Sequence, residues 1–538
     1  MQSTFILLFI GCSQASGRNI YSDMLTENSL FADTAAIDRH LGNMAKLNEI
    51  QSKIFGIRPT SRDQLPFEEE PAKPDQLPYL FEGDIVLTDE QMETILRNTE
   101  EQLLSKNGGI RERRSLTSDP VARWQTFPIP YYINTGSRVS ESAVLAGLKL
   151  WETETCVSFR RQPSRTRGNG LEFFLGNGCF SMVGRVGFTF QQVSIGFGCT
   201  SLGIVAHEIG HALGFYHEQS RYDRDDYVRI FTGNVQNGYV AQFTKQSRRS
   251  MEDYGVGYDY GSVMHYDQFS FSQNGLPTIN TIDTNYQQTI GQRGGPSFMD
   301  VKRINLAYCN GTCSNTLPCL HGGYTDPKNC AICRCPSGFA GMVCDQAAPN
   351  PGACGVGGRN ATSSLQSISV SGAVSCSFVI KAPSNFRVYY EVPTFCRSRP
   401  KNAVSETDIL VVLYRGSSST AFTLNYRYGS NHNHISNNNN NNYSKWNGTI
   451  HTSNKFPTAT ITTSTTTVTT SICSQWTKCS ASCGGCGTRR RICGGKAEEK
   501  YCNTQPCRGN FCCRPFLYVN QGFCFRPYSE DQLIKRRG

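Results

Sequence analysis

Nowhere after its first residues does this 538-residue chain carry the 18 or more continuous apolar residues that a membrane-spanning helix needs. Charge of one sign is scarce too: 53 Lys and Arg against 43 Asp and Glu leave +10, modest for this length. Part of the excess is clustered at Arg111 to Arg114, Arg489 to Arg491 and Lys535-Arg536-Arg537. Nothing in this pattern resembles a nucleic-acid-binding domain. The C-terminal basic cluster is compatible with sulfated polysaccharide or acidic matrix, and a solvated face is the simpler reading. Cysteine is missing between residues 17 and 114, where polar helical stretches alternate with Pro-rich segments such as Leu65-Pro66 through Leu77-Pro78.

Elsewhere cysteine is abundant. A total of 24 places the chain in an oxidising compartment. Thr4 to Ile10 is a short apolar run, followed by small residues from Ser13 to Gly17, and predicts a signal peptide over residues 1–16, although no Lys or Arg precedes it. The product is therefore expected to be secreted. At this length it should divide into several domains.

Residues 207 to 217 read His-Glu-Ile-Gly-His-Ala-Leu-Gly-Phe-Tyr-His. On an α-helix His207 and His211 stand one turn apart, so both imidazoles project from one face and can reach one ion. Glu208 is rotated about 100° away from them; it cannot join as a ligand, but it is close enough to take a proton from the attacking water. Gly214 can adopt a positive φ, end the helix and turn the chain back to deliver His217 as a third nitrogen. Three protein ligands leave a position open, which marks a catalytic zinc rather than a structural one. Beyond His217 comes Gly261-Ser262-Val263-Met264-His265-Tyr266-Asp267, its Met264 some 47 residues on, and an extended His motif followed by such a Met-turn is the metzincin signature.

The run from His207 to Val228, together with Ser262-Val263-Met264-His265-Tyr266, resembles the astacin family of secreted zinc endopeptidases, over about residues 115 to 309. The resemblance implies an α+β protease domain with one zinc per subunit on His207, His211 and His217. Glu208 would be general base and then general acid, Met264 the hydrophobic floor beneath the metal, and Tyr266 a loose extra ligand that swings away to stabilise the oxyanion. It also implies disulfides Cys156–Cys309 and Cys179–Cys199. Thr289-Ile290-Gly291-Gln292-Arg293 is similar to a segment that gives tolloid-like relatives a basic pocket just past the scissile bond, so Arg293 would favour an acidic residue there. The usual Gly-Gly-x-Gln phrase is replaced by Gly187-Phe188-Thr189-Phe190, at the strand bordering the cleft.

Residues 17–114 resemble a removable propeptide. Arg111-Glu112-Arg113-Arg114 suits a furin-like activating protease, although a basic tetrad is as often an exposed charge run. Cutting after Arg114 makes Ser115 the first mature residue and places Trp124 and Pro130-Tyr131 at the offsets of astacin-like mature chains; the freed amino group would then fold toward Glu218. Phe81-Glu82-Gly83-Asp84 resembles the family's aspartate switch, in which Asp84 fills the open zinc position. Thr88 to Gln91 has capping-box spacing, and Ile95, Leu96, Leu103 and Leu104 give the helix after it an apolar stripe. Ser142 to Thr155 predicts another amphipathic helix, with Leu145, Leu148 and Trp151 in the core.

Beyond the protease, residues 310–345 look like an epidermal-growth-factor-like module. Six cysteines allow fifteen pairings, and the resemblance implies Cys313–Cys330, Cys319–Cys333 and Cys335–Cys344, without the Asp and Asn set of a calcium-binding version. Residues 354–428 alternate apolar and polar residues as in a β-sandwich and resemble a short CUB domain holding Cys354 and Cys376, with Cys396 lacking a partner. An Asn- and Thr-rich linker spans 429–472, a segment resembling a thrombospondin type-1 repeat spans 473–508, and a Cys-containing tail spans 509–538. Asn310, Asn360, Asn442 and Asn447 begin glycosylation sequons. Loss of Cys12 with the signal leaves 23 cysteines, so at least one is unpaired or intermolecular, with Cys396 the candidate.

The order of modules resembles nematode astacins of the kind linked to cuticle collagen processing, moulting and hatching. The expected function is that of a secreted zinc endopeptidase made as a zymogen and acting on matrix, cuticle or egg-envelope proteins. A tissue-penetrating or digestive protease is the alternative within enzymes. From another class, the chain would be an adhesive matrix protein whose protease domain is scaffold.

Overall fold

The computed structural model describes residues 31, 33–59, 73–104, 116–117, 120–187, 189–247, 250–394 and 403–430, with four short strands between 487 and 525. The signal peptide, Arg114, Ser115, Phe188, Cys396, Asn442, Asn447, the linker from 431 onward and most of the thrombospondin-like segment and tail lie outside the described residues. The chain forms two compact units, Met1–Ile435 and Ser436–Gly538. In the second, Gly487–Cys493 pairs with Lys496–Cys502 and Leu517–Val519 with Phe523–Phe525, each antiparallel.

Helices of the first unit are α1 (Thr34–Phe55), α2 (Asp89–Leu104), α3 (Glu141–Glu154), α4 (Leu202–Ala212) and α5 (Phe298–Tyr308). Local chemistry sets their starts. Asp33 accepts the Ala36 N–H at 2.8 Å to begin α1. Before α2, Thr88 and Gln91 exchange side-chain and backbone bonds of 3.0 and 3.2 Å, and Ser297 and Asp300 form the corresponding box at α5.

Six strands build the main sheet: β1 (Ile85–Val86), β2 (Ile129–Ile133), β3 (Phe159–Arg161), β4 (Gly170–Phe174), β5 (Cys179–Met182) and β6 (Phe190–Ile195). Their order is β1-β5-β6-β4-β2-β3, and all neighbours run parallel except β5 against β6. The outermost strand, β1, comes from the segment ahead of Arg114 and sets Ile85 beside Ser181 and Val86 beside Met182.

Against the sheet, α3 and α4 close a core of Ile129, Leu171, Phe173, Val193, Val205, Ile209 and Trp151. On α3 the buried stripe is Val144, Gly147, Leu148 and Trp151. Leu145 is not in it: one residue on from Val144, it is turned about 100° away and is 37% exposed. Leu104 likewise leaves its expected stripe, being 79% exposed at the last turn of α2, where Met92 joins Ile95 and Leu96 inside instead.

The upstream segment has an interior of its own shared with the protease. Met44, Leu47 and Ile50 of α1 and Ile95 and Leu96 of α2 pack with Val183, Tyr216, Ala241 and Met251. Disulfides Cys156–Cys309 and Cys179–Cys199 tie the protease region, and Cys313–Cys330, Cys319–Cys333 and Cys335–Cys344 tie the small region after it. From 354 to 430 a three-stranded and a four-stranded sheet enclose Phe378, Ile380, Val388 and Leu424, with Cys354 bonded to Cys376. Asn310 and Asn360 are exposed.

Candidate metal centre

The second turn and the C-terminal turn of α4 present His207 and His211, and Gly214, at φ 110°, reverses the chain so that His217 returns to them. The helix is held from both sides by indole N–H groups: Trp151 donates to the Ala206 carbonyl at 2.9 Å and Trp124 to that of Ala212 at 2.8 Å. Met264 lies directly beneath, so close that a methyl on Gly210 would fall 2.7 Å from its sulfur.

The three imidazoles converge. His207 Nε2 is 3.1 Å from His211 Nε2 and 3.3 Å from His217 Nε2, and all three rings are buried. Their other nitrogens fix the tautomer. Nδ1 of His207 faces the Val263 carbonyl, Nδ1 of His211 the Phe215 carbonyl and Nδ1 of His217 the Glu82 carboxylate, each at 2.8 Å. These partners only accept, so each Nδ1 carries the hydrogen and each Nε2 turns a lone pair inward. Asp84 completes the group, its Oδ2 lying 3.1 Å from His207 and 3.2 Å from His217, its Oδ1 3.4 Å from His211. Three lone pairs and a carboxylate aimed at one point repel one another unless a cation lies among them, and the four ligand atoms sit within 4.8 Å of one another. Imidazole nitrogen with carboxylate oxygen is a zinc donor set. With the three imidazoles neutral, the positive partner that the buried Asp84 carboxylate needs is a cation among the four ligand atoms.

Glu208 is 0% exposed and neither carboxyl oxygen has a hydrogen-bond partner among the described residues. Burial, reinforced by Asp84 and Asp75, pushes it well above the usual range against the opposing Arg293. Tyr266, 2% exposed, donates its phenol hydrogen to the Glu82 backbone carbonyl; burial first, then Asp84 and Glu82, raise it so far that it stays protonated.

The turn that delivers Asp84 is unusual. Glu82 and Gly83 both have positive φ, 47° and 81°, and the Asp84 carbonyl accepts from Ser181 N–H at 2.9 Å. Glu82 has a Cβ and so pays for this conformation; His217 and Tyr266 hold it there through its side chain and carbonyl. Glu82 lies inside the Phe81-to-Asp84 phrase, yet nothing in the sequence marks its contact with the third histidine.

Glu218 is 3% exposed and already partnered: Arg303 Nη1 and Nη2 donate to its two oxygens at 2.8 and 2.9 Å, and Asp259 N–H at 2.7 Å. Arg303, 85 residues away, has no sequence signal that would link it to Glu218. Arg293 donates through Nη1 to the carbonyls of Val263 and His265, each at 3.0 Å, and through Nη2 to Asp75 at 3.4 Å. It therefore stands beside the metal site and meets a carboxylate from the upstream segment.

Residues 116–309 match the family model of the astacin peptidases. The chain is 47% identical to Zinc metalloproteinase nas-34 of Caenorhabditis elegans, over 97% of its own length and 96% of that protein's. It is 38% identical to Zinc metalloproteinase dpy-31 of the same organism, over 61% of this chain and 57% of that one. Among solved structures, high choriolytic enzyme 1, a hatching enzyme zinc-protease from Oryzias latipes (medaka fish), is similar at 33% identity over 36% of this chain and 98% of its own, with a TM-score of 0.33. A three-histidine cluster able to hold a metal, the matched domain and near-complete coverage by a zinc metalloproteinase together mean that this chain is a zinc metalloendopeptidase of the astacin family.

Proposed function

We propose that this is a secreted endopeptidase made as a zymogen, held silent by Asp84 and released by a furin-like cut between Arg114 and Ser115. The observation that carries the reading is Asp84 itself, seated among His207, His211 and His217 where a substrate's carbonyl would need to enter. Residues 73–86 fill the rest of the cleft. Gln242 donates to the carbonyls of Pro78 and Leu80 at 3.1 and 3.0 Å, and Cys179 N–H to that of Pro74 at 2.7 Å.

In the cut form, His207, His211 and His217 hold the zinc. A bound zinc lowers the pKa of water toward neutrality and polarises a carbonyl. Glu208, buried and unpartnered, takes the proton of the attacking water and passes it to the departing amine. Tyr266 keeps its hydrogen and, with the Glu82 carbonyl gone, offers it to the oxyanion that develops on the scissile carbonyl. The amino group freed at Ser115 folds toward Glu218 and joins Arg303 there. Arg293, with Asp75 gone, favours an acidic residue just past the scissile bond.

Substrates are extracellular: matrix, cuticle collagen or egg-envelope proteins. The β-sandwich and the disulfide-rich regions act as modules that bring the protease to such targets. The test is to purify the form beginning at Ser115, measure its zinc, and follow peptide cleavage beside Glu208→Ala. One zinc per chain in both forms, with hydrolysis lost only in the variant, is expected. Hydrolysis that survives Glu208→Ala refutes the mechanism.

A further inference from the structure

Arg293 has a neighbour of opposite charge. The loop that carries it passes directly over Asp267, with Gly291 at φ 81° and so close that a Cβ there would fall 2.3 Å from the Asp267 Cβ and 2.4 Å from its Cα. Arg293 and Asp267 thus belong to one wall of the cleft, on the side reached by residues 73–76. The upstream segment meets both: Asp75 pairs with Arg293, and Lys73 Nζ pairs with Asp267 Oδ2. Between them the Pro74 carbonyl accepts from Cys179 N–H, at the start of β5.

Lys73 to Gln76 form a turn, closed by Gln76 N–H on the Lys73 carbonyl at 3.1 Å. Pro74 is tied by its main chain to the cleft strand, and the two flanking side chains reach charged groups of the wall. Two carbonyls and its own Gln292 carbonyl hold Arg293 from behind, so it keeps its place when Asp75 leaves. Asp267 is fixed too, by Phe269 N–H at 2.7 Å and Ser270 O–H at 3.2 Å, and its side chain is 27% exposed even under Lys73. Among the described residues Lys73 is the only cation paired with it. Its removal leaves a positioned carboxylate without a counter-ion in a peptide-binding cleft.

We propose that Asp267 forms a second charged subsite that takes a Lys or Arg of the substrate. The cleft then reads two opposite charges: an acid against Arg293 just past the scissile bond, and a base against Asp267 on the same wall. The inference rests on the endopeptidase reading above.

The test uses the full chain activated by cleavage after Arg114 and a peptide series with Asp fixed just past the scissile bond and Lys, Ala or Glu placed in turn at the second, third and fourth positions past it. Only the ratio of kcat/KM between peptides is read within each protein, so loss of folded enzyme cancels. The wild type should favour Lys over Ala about fivefold, the size of a partly exposed ion pair. Asp267→Asn should bring the ratio near one, and Asp267→Lys should turn the preference toward Glu. A wild-type ratio near one at all three positions, or a Lys preference unchanged in Asp267→Asn, overturns the subsite while leaving the protease intact. Failure of the wild type to cut any peptide overturns the endopeptidase reading instead.

Discussion

Asp84→Ala, made in a chain whose cut is blocked by Arg113→Ala and Arg114→Ala, separates the plug from the rest of the upstream segment. Asp84 is 1% exposed and lies 3.1 to 3.4 Å from three imidazole nitrogens. Removing one member of a fully buried charge-paired set costs about 3–5 kcal/mol, which is a factor of about 10² to 4 × 10³ in the balance between closed and open cleft. The cleft does not simply open, because Gln242 still holds Pro78 and Leu80, His40 still holds the Tyr79 carbonyl at 2.8 Å and Arg293 still holds Asp75. Each of these is worth about 1 kcal/mol. The uncut variant should therefore hydrolyse a fluorogenic peptide at least about 100-fold faster than the uncut wild type, yet remain slower than enzyme cut normally. Proteolytic removal of residues up to Arg114 should bring variant and wild type to the same rate. An uncut Asp84→Ala chain as silent as the uncut wild type, with a fully active cut form, would refute the reasoning and shift latency to the surrounding contacts.

Arg303→Met leaves the buried Glu218 carboxylate without its bidentate partner and should lower unfolding free energy by about 3–5 kcal/mol in a denaturant titration, with Glu218→Gln/Arg303→Met recovering most of it. A loss under about 1 kcal/mol would place this pair among ordinary surface ion pairs. His40, buried beside Tyr79, with the Phe31 ring tilted 38° against it and Asp89 the nearby acid, has its pKa lowered from 6.5 mainly by burial. A depressed histidine means that the unfolded chain binds more protons between the folded pKa and 6.5, so stability falls as pH drops below about 6.5. Protection factors across residues 34–55, the exchange rates divided by their intrinsic values at each pH, should fall on acidification through that range, and His40→Gln should flatten the dependence; an unchanged slope in the variant would assign it to other groups.

The metal site was legible because its grammar is local. Four of its determinants, His207, Glu208, His211 and His217, fall within eleven residues whose spacing is set by one helix and one glycine. Asp84 was legible through a phrase resembling a known switch, though 123 residues separate it from His207. Contacts that depend on packing between distant segments left no mark in the sequence. Glu82 against His217, Arg303 against Glu218 and Lys73 against Asp267 each join a residue type common on any surface to a partner 85 to 194 residues away. Helix ends were read correctly where side chains bond backbone nearby, as at Thr88 and Gln91. Which leucine of α3 or α2 faces inward was not, because Leu145 and Leu104 are as apolar as the residues that do.

The parallel pairing of Ile85 and Val86 with Ser181 and Met182 has a consequence for handling the protein as well as for its chemistry. While β1 is in place, the outer side of β5 has its hydrogen-bonding groups occupied, and no other extended chain can dock there. Departure of the upstream segment turns that strand into a template for any extended polypeptide, whether a target or another copy of the enzyme. In the zymogen proposed above, release from latency and vulnerability to self-association or self-digestion would then begin at the same moment.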